Sequence, residues 1–187
     1  MRTRQRMLPR GWYPGSADEC VRDIQDFLSD FAPPAGSWTG GVAPHAGWYY
    51  SGRAAAKVFS TIAGGGRPDR VVIYGGHLQG GSSAIAYMED YWETPLGALA
   101  MDAEFAAELV SEGAAMAAYR DFSDNTVEIQ LPFVKHFFPD TPIIAIHSPA
   151  SEAAIRLGEL VEEKLRSKGL TGVCVGSADL THYGPNY

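Results

Sequence analysis

Only two cysteines, Cys20 and Cys174, occur in 187 residues, too few for a disulfide framework or for a zinc site made of thiolates alone. Cys20 falls on the apolar face of a predicted helix and Cys174 inside an apolar run, so both read as buried, reduced thiols of a cytosolic, cytoplasmic protein. Positive charge is also scarce. Fifteen Lys and Arg against 22 Asp and Glu give a formal net charge of −7, which argues against a nucleic-acid partner, because phosphate contacts need clustered cations. The one basic run, Arg2, Arg4, Arg6 and Arg10, reads as a solvated terminal arm. No apolar run approaches the roughly 18 residues of a membrane span, and none near Met1 has the character of a signal peptide. A G-x-S-x-G elbow and a Walker A loop are both missing, and Gly75-Gly76-His77-Leu78-Gln79-Gly80-Gly81 lacks the Rossmann glycine spacing.

What remains is an ordinary globular composition, 45% apolar and 20% charged, in a chain long enough to bury one core. Ser16-Ala17-Asp18-Glu19 has the form of a capping box opening a helix, with Val21, Ile24, Leu28 and Phe31 on its apolar face and Pro33-Pro34 as its stop. A strand leads to Pro44-His45, and a helix is expected from Arg53 to Ile62. Val71 to Tyr74 is a strand, Ser83 to Met88 and Tyr91 to Glu93 are shorter ones, and Asp102 caps a helix ended by Gly113. Asn125 to Phe138 has helical periodicity, interrupted by Pro132. Ile143 to His147 is a buried strand, Ser151 to Lys168 a helix, and Val173 to Ser177 the last strand. This alternation predicts a single α/β domain with a mainly parallel central sheet flanked by helices.

Three of these strands run into polar residues of one chemistry. Ala43-Pro44-His45, Gly75-Gly76-His77 and Asp179-Leu180-Thr181-His182 each follow an apolar run, and ligands of open α/β sheets sit beyond the carboxyl ends of the strands. His45 and His77 are the natural nitrogen ligands of a divalent metal such as Fe(II), which two histidines and one carboxylate commonly hold. Copper and zinc suit two imidazoles as well. Asp179, Glu128 and Asp124 are the available carboxylates, and His182 has the titration range of a general acid/base. Asp179 equally suits a cap, His136 a structural place in Phe133 to Phe138, and His147 either the core or the cleft. Trp48, Tyr49 and Tyr50 suit an aromatic pocket wall or the core.

The chain resembles the MEMO family, which includes AmmeMemoRadiSam system protein B of prokaryotes. The resemblance is carried by Gly11-Trp12-Tyr13-Pro14, by Ala43 to Gly52 (APHAGWYYSG), by Thr94-Pro95-Leu96-Gly97, by Asn125 to Pro132 (NTVEIQLP) and by Ser177 to Gly184 (SADLTHYG). It implies a fold like that of class III extradiol dioxygenases, which use non-haem Fe(II). By that resemblance His45 and His77 match metal ligands, and His182, with Asp179, matches the acid/base motif. Trp48, Tyr49 and Glu128 are expected to contact substrate.

The resemblance also marks departures. Gly75-Gly76-His77 brings its histidine one residue closer than the family pattern, and Asn125 stands where relatives commonly have histidine. The third ligand is expected from a C-terminal segment with no counterpart here. Two functions follow as expectations. One is a metal-dependent, dioxygenase-like oxidoreductase acting on a small molecule; the other is a non-catalytic module holding a peptide or small anion in the same cleft. The last strand is expected to expose Val173 and Val175 or to bury them against a second copy in a homo-oligomer.

Overall fold

The computed structural model describes residues 1–118 and 122–179. In chain order its elements are β1 (Thr3–Arg4), α1 (Ala17–Leu28), β2 (Gly40–Ala43), α2 (Trp48–Ala63), β3 (Arg70–Gly75), β4 (Ile85–Ala86), β5 (Tyr91–Trp92) and β6 (Leu99–Ala100). There follow α3 (Ala103–Ser111), β7 (Met116–Ala117), α4 (Asn125–Glu128), α5 (Leu131–Phe137), β8 (Ile143–His147), α6 (Glu152–Ser167) and β9 (Gly172–Ser177). The main sheet has the spatial order β2-β9-β3-β8-β4-β7. Its first four strands are mutually parallel, and β4 runs antiparallel to β8. The sheet is therefore mixed but mostly parallel, with helices on both faces.

The period of two along each strand divides the core into two layers. Val71, Ile73, Ile143, Ala145, Val173 and Val175 pack with Ile24, Phe59 and Phe133 from α1, α2 and α5. The alternate residues Val72, Ile144 and Ile146 pack with Phe105, Leu109, Leu157 and Val161 from α3 and α6. Near-continuous apolar strands are the mark of a sheet buried on both sides.

Local signals act where they were expected. Ser16 Oγ accepts from Glu19 N at 3.4 Å, the N-cap half of the expected capping box, and donates to the Glu19 carboxylate at 2.7 Å. Asp102 accepts from Phe105 N at 2.9 Å, and Gly113 takes φ +74° just past α3. Pro132 lies in the first turn of α5, so the periodic stretch from Asn125 divides into α4 and α5. Helix α2 begins at Trp48, five residues before its expected start. The Gly47 carbonyl accepts from Tyr50 N and Ser51 N, and Ser51 Oγ returns to Ala46 O, which carries the helix back to the His45 loop.

Three expectations are corrected. Arg4 is 5% exposed rather than part of a solvated arm. Strand β1 pairs with β5 in a small sheet, and the Arg4 guanidinium bonds Glu89 at 3.0 Å while lying over Tyr87 and Trp92. Val173 and Val175 are buried, at 8% and 0% exposure, because they face α1 and α2. Cys174, on the other face of β9, is exposed. That face, with Val42, Val161 and Leu165, lines a groove of about 940 Å³. Among the described residues no helix is long and apolar enough to cross a membrane.

Candidate functional site

Parallel pairing of β2, β9 and β3 brings their carboxyl ends side by side, with Ala43 opposite Ser177 and Tyr74 opposite Gly176. His45, Asp179 and His77 each stand two residues beyond the last residue of their strand. A common offset from adjacent parallel strands carries the three to one end of the sheet. The ring centres of His45 and His77 lie 4.9 Å apart, with their planes at 82°.

The His45 loop is clamped from three directions. Its amide donates to Asp179 Oδ1 at 2.7 Å, its carbonyl accepts from Asn125 Nδ2 at 2.9 Å, and the Pro44 carbonyl accepts from Gln130 Nε2 at 2.9 Å. His45 Nδ1 faces Ser177 Oγ at 3.4 Å. That hydroxyl gives its one proton to the Thr126 carbonyl at 2.5 Å, so toward His45 it can only accept. The proton of the neutral ring therefore sits on Nδ1, and the lone pair is on Nε2, which lies 3.7 Å from Asp179 Oδ2. Burial lowers the His45 pKa more strongly than Asp179 and the Ser177 carbonyl raise it.

His77 is, among the described residues, the one non-glycine with a positive φ, +69°, a conformation that costs an L-residue of order 1–2 kcal/mol. Its Nδ1 meets Asp124 Oδ2 at 2.9 Å. Asp124 is also the N-cap of α4, where its Oδ1 accepts from Thr126 N at 2.8 Å and Thr126 Oγ1 at 2.5 Å. Thr126 Oγ1 in turn accepts from Gly76 N at 3.1 Å, so the two loops are stitched together. Burial pushes the Asp124 carboxyl up, but the Thr126 bonds together with His147 and His77 hold it below its ordinary value. Gly75 permits this approach: a Cβ there would meet Thr126 Oγ1 at 2.5 Å, Val127 Cγ2 at 2.8 Å and His147 Cε1 at 2.9 Å.

His147 ends β8 fully buried. Its Nδ1 donates to the Gly76 carbonyl at 3.1 Å and its Nε2 accepts from Tyr87 OH at 3.0 Å. Burial lowers its pKa, as it does that of His136. His147 thus supports the His77 loop from beneath.

The remaining sequence candidates divide. Glu128 is 2% exposed, and its carboxylate accepts from Met7 N, Leu8 N and Tyr13 OH at 2.7 to 3.0 Å. It anchors the N-terminal segment to α4. Trp48 is buried and stacks on Phe133 with ring centres 4.2 Å apart, so it belongs to the core. Tyr49 and Tyr50, in the first turn of α2, are exposed. His182 lies outside the described residues. Among the described residues no group of three His, Cys, Asp or Glu side chains is placed to hold a metal ion. Thr126, Gln130 and Ser177 lie within the motifs quoted above but were not singled out there as site residues. The spacing Asp124-x-Thr126, an Asx-type cap, was the local signal for Thr126.

Residues 4–187 match the family model described as Memo-like protein. A MEMO1 family protein of Pyrobaculum aerophilum is 32% identical over 199 residues, covering all of this chain and 71% of that protein. One from Desulfurococcus amylolyticus is 38% identical over 161 residues, 82% of this chain and 56% of the relative. One from Methanopyrus kandleri is 35% identical over 155 residues, 79% of this chain and 54% of the relative.

Proposed function

This chain belongs to the Memo-like protein family, and from that premise we propose that the cleft at the ends of β2, β3 and β9 holds a divalent metal ion between His45 and His77. What supports this most is the pairing of two imidazoles at 4.9 Å, each with Nδ1 engaged by a neighbouring oxygen. A histidine held in this way offers Nε2 as its ligand atom, and an outer partner on Nδ1 is the usual arrangement at metal sites. Fe(II) is the ion assigned, by likeness to the non-haem dioxygenases, with copper or zinc as alternatives.

When bound, such an ion supplies Lewis-acid and redox chemistry toward a small aromatic substrate. The chain's own residues supply the rest. Asp179 fixes the His45 loop through its amide, Tyr49 offers an exposed ring four residues beyond His45, and His182 moves protons. Metal analysis of the purified protein beside His45→Ala and His77→Ala tests the site. About one equivalent in the parent and loss in both variants is expected, whereas equal content in all three would remove it. O₂ uptake over a panel of catechols with added Fe(II) then tests the reaction.

A second reading has one observation in its favour, since no third ligand of the His, Cys, Asp or Glu type joins the pair among the described residues. The cleft would then be a non-catalytic module for a peptide or small anion. Peptide binding that survives chelation, together with silence in the O₂ assay, would select it.

A further inference from the structure

Two features of His77 stand apart from the ligand role proposed for it. Its backbone is left-handed, at φ +69°, and one edge of its ring is tied through Nδ1 to a carboxylate drawn from 47 residues away in the sequence. Both atoms of that carboxylate are committed. Oδ1 accepts from the amide and hydroxyl of Thr126 at 2.8 and 2.5 Å, and Oδ2 accepts from His77 Nδ1 at 2.9 Å. An ionised carboxylate only accepts, so the shared proton belongs to Nδ1 and the lone pair of the neutral ring to Nε2. A neutral imidazole without such a partner can carry its proton on either nitrogen.

We propose that Asp124 is a positioning residue that fixes His77 as the Nδ1–H tautomer and aims Nε2 into the cleft. Thr126 holds the carboxylate in turn. Its hydroxyl donates to Asp124 Oδ1 and accepts from Gly76 N, so one side chain sets both the orienting carboxylate and the loop being oriented. The arrangement deepens the metal reading above, because a carboxylate behind a ligating histidine sets its tautomer and raises its basicity. The tautomer assignment itself holds without any metal.

An isosteric change separates the two claims. In Asp124→Asn the amide oxygen stays where Thr126 N and Oγ1 donate, which places the NH₂ group where Oδ2 was. That group can only donate, so His77 Nδ1 must become the acceptor and the ring proton must move to Nε2. Asparagine caps helices as well as aspartate does, so α4 is retained.

The experiment is long-range ¹H–¹⁵N correlation of the imidazole nitrogens in the metal-free, ¹⁵N-labelled full chain above pH 7, with His77→Ala identifying the His77 signals. The parent should show a protonated Nδ1 and a bare Nε2, and Asp124→Asn the reverse. Zn(II) affinity, measured by competition with a chromophoric chelator, should then fall about 10–100-fold in the variant. A parent ring protonated on Nε2, or an unchanged pattern in Asp124→Asn, overturns the proposal. So does equal Zn(II) affinity in the two proteins. Failure of the parent itself to bind Zn(II) would count against the metal reading alone, because the tautomers are read without metal and the parent spectrum decides them even if the variant does not fold.

Discussion

The Asp179 carboxylate touches His45 twice, accepting from its main-chain amide at 2.7 Å through Oδ1 and lying 3.7 Å from its ring Nε2 through Oδ2. One side chain at the end of β9 thus sets both the backbone and the ring environment of the histidine at the end of β2. Asp179→Ala leaves a buried amide without its acceptor and should cost about 1–3 kcal/mol of unfolding free energy. Asp179→Asn keeps an acceptor oxygen there and should lose less. Urea titrations of the two variants decide it; equal losses would mean that the amide contact is not what matters.

A second expectation concerns acid. Burial lowers the folded-state pKa values of His45, His136 and His147 below that of an unfolded histidine. The unfolded chain therefore takes up protons first as pH falls, and stability present above about pH 6.5 is lost below it. Asp124, whose carboxyl is held below its ordinary value, adds a further loss at lower pH, as the medium approaches the pKa of its folded form. Unfolding free energy should be greatest near pH 7.5, because above it the unfolded thiols of Cys20 and Cys174 ionise while burial keeps the folded ones protonated. From there it should fall toward pH 5, by up to about 1.4 kcal/mol per pH unit for each histidine involved. Stability that is constant or rising from pH 7 to pH 5 would contradict this.

Glu128 gives a third. Its buried carboxylate receives Met7 N, Leu8 N and Tyr13 OH from residues that are themselves partly exposed. Glu128→Ala removes the acceptor of all three, and because water reaches part of this segment a loss of about 1–3 kcal/mol is expected. Amide exchange at Met7 and Leu8 should accelerate before that of β3 or β8. Uniform acceleration across the chain would show that the N-terminal segment is not a separately anchored unit.

Gly75 gives a fourth. A methyl group there runs into Thr126, Val127 and His147 at 2.5 to 2.9 Å. Gly75→Ala should therefore push α4 away from the end of β3, with a cost of about 1–3 kcal/mol. Thermal unfolding measures the cost, and altered His77 and His147 nitrogen shifts locate it. A variant as stable as the parent, with unmoved shifts, would show that the contact relaxes freely.

The contrast among these residues explains how far the sequence could be read. Ser16, Asp102 and Gly113 act on neighbours within a turn, so their type and spacing announce their structure. The offset of His45, His77 and Asp179 from their strands was legible for the same reason, since strand ends are local. Arg4 was not. It forms a two-residue strand, and the rings that receive its guanidinium, Tyr87 and Trp92, lie more than 80 positions away. Asp124 was visible as one carboxylate among several. Its pairing with His77 depends on Gly75 letting α4 close on β3, a tertiary fact with no local signature. Cys174 misled because an apolar run does not say which face of its strand will be covered.

The central claim, that His45 and His77 offer their Nε2 atoms to one ion, is tested most directly by titrating Zn(II) into ¹⁵N-labelled protein while following the imidazole nitrogens. The account predicts that the Nε2 signals of His45 and His77 move together and saturate at about one equivalent, while His136 and His147 keep their metal-free shifts. Movement of one ring alone, coordination through Nδ1, or no response from either ring would contradict it.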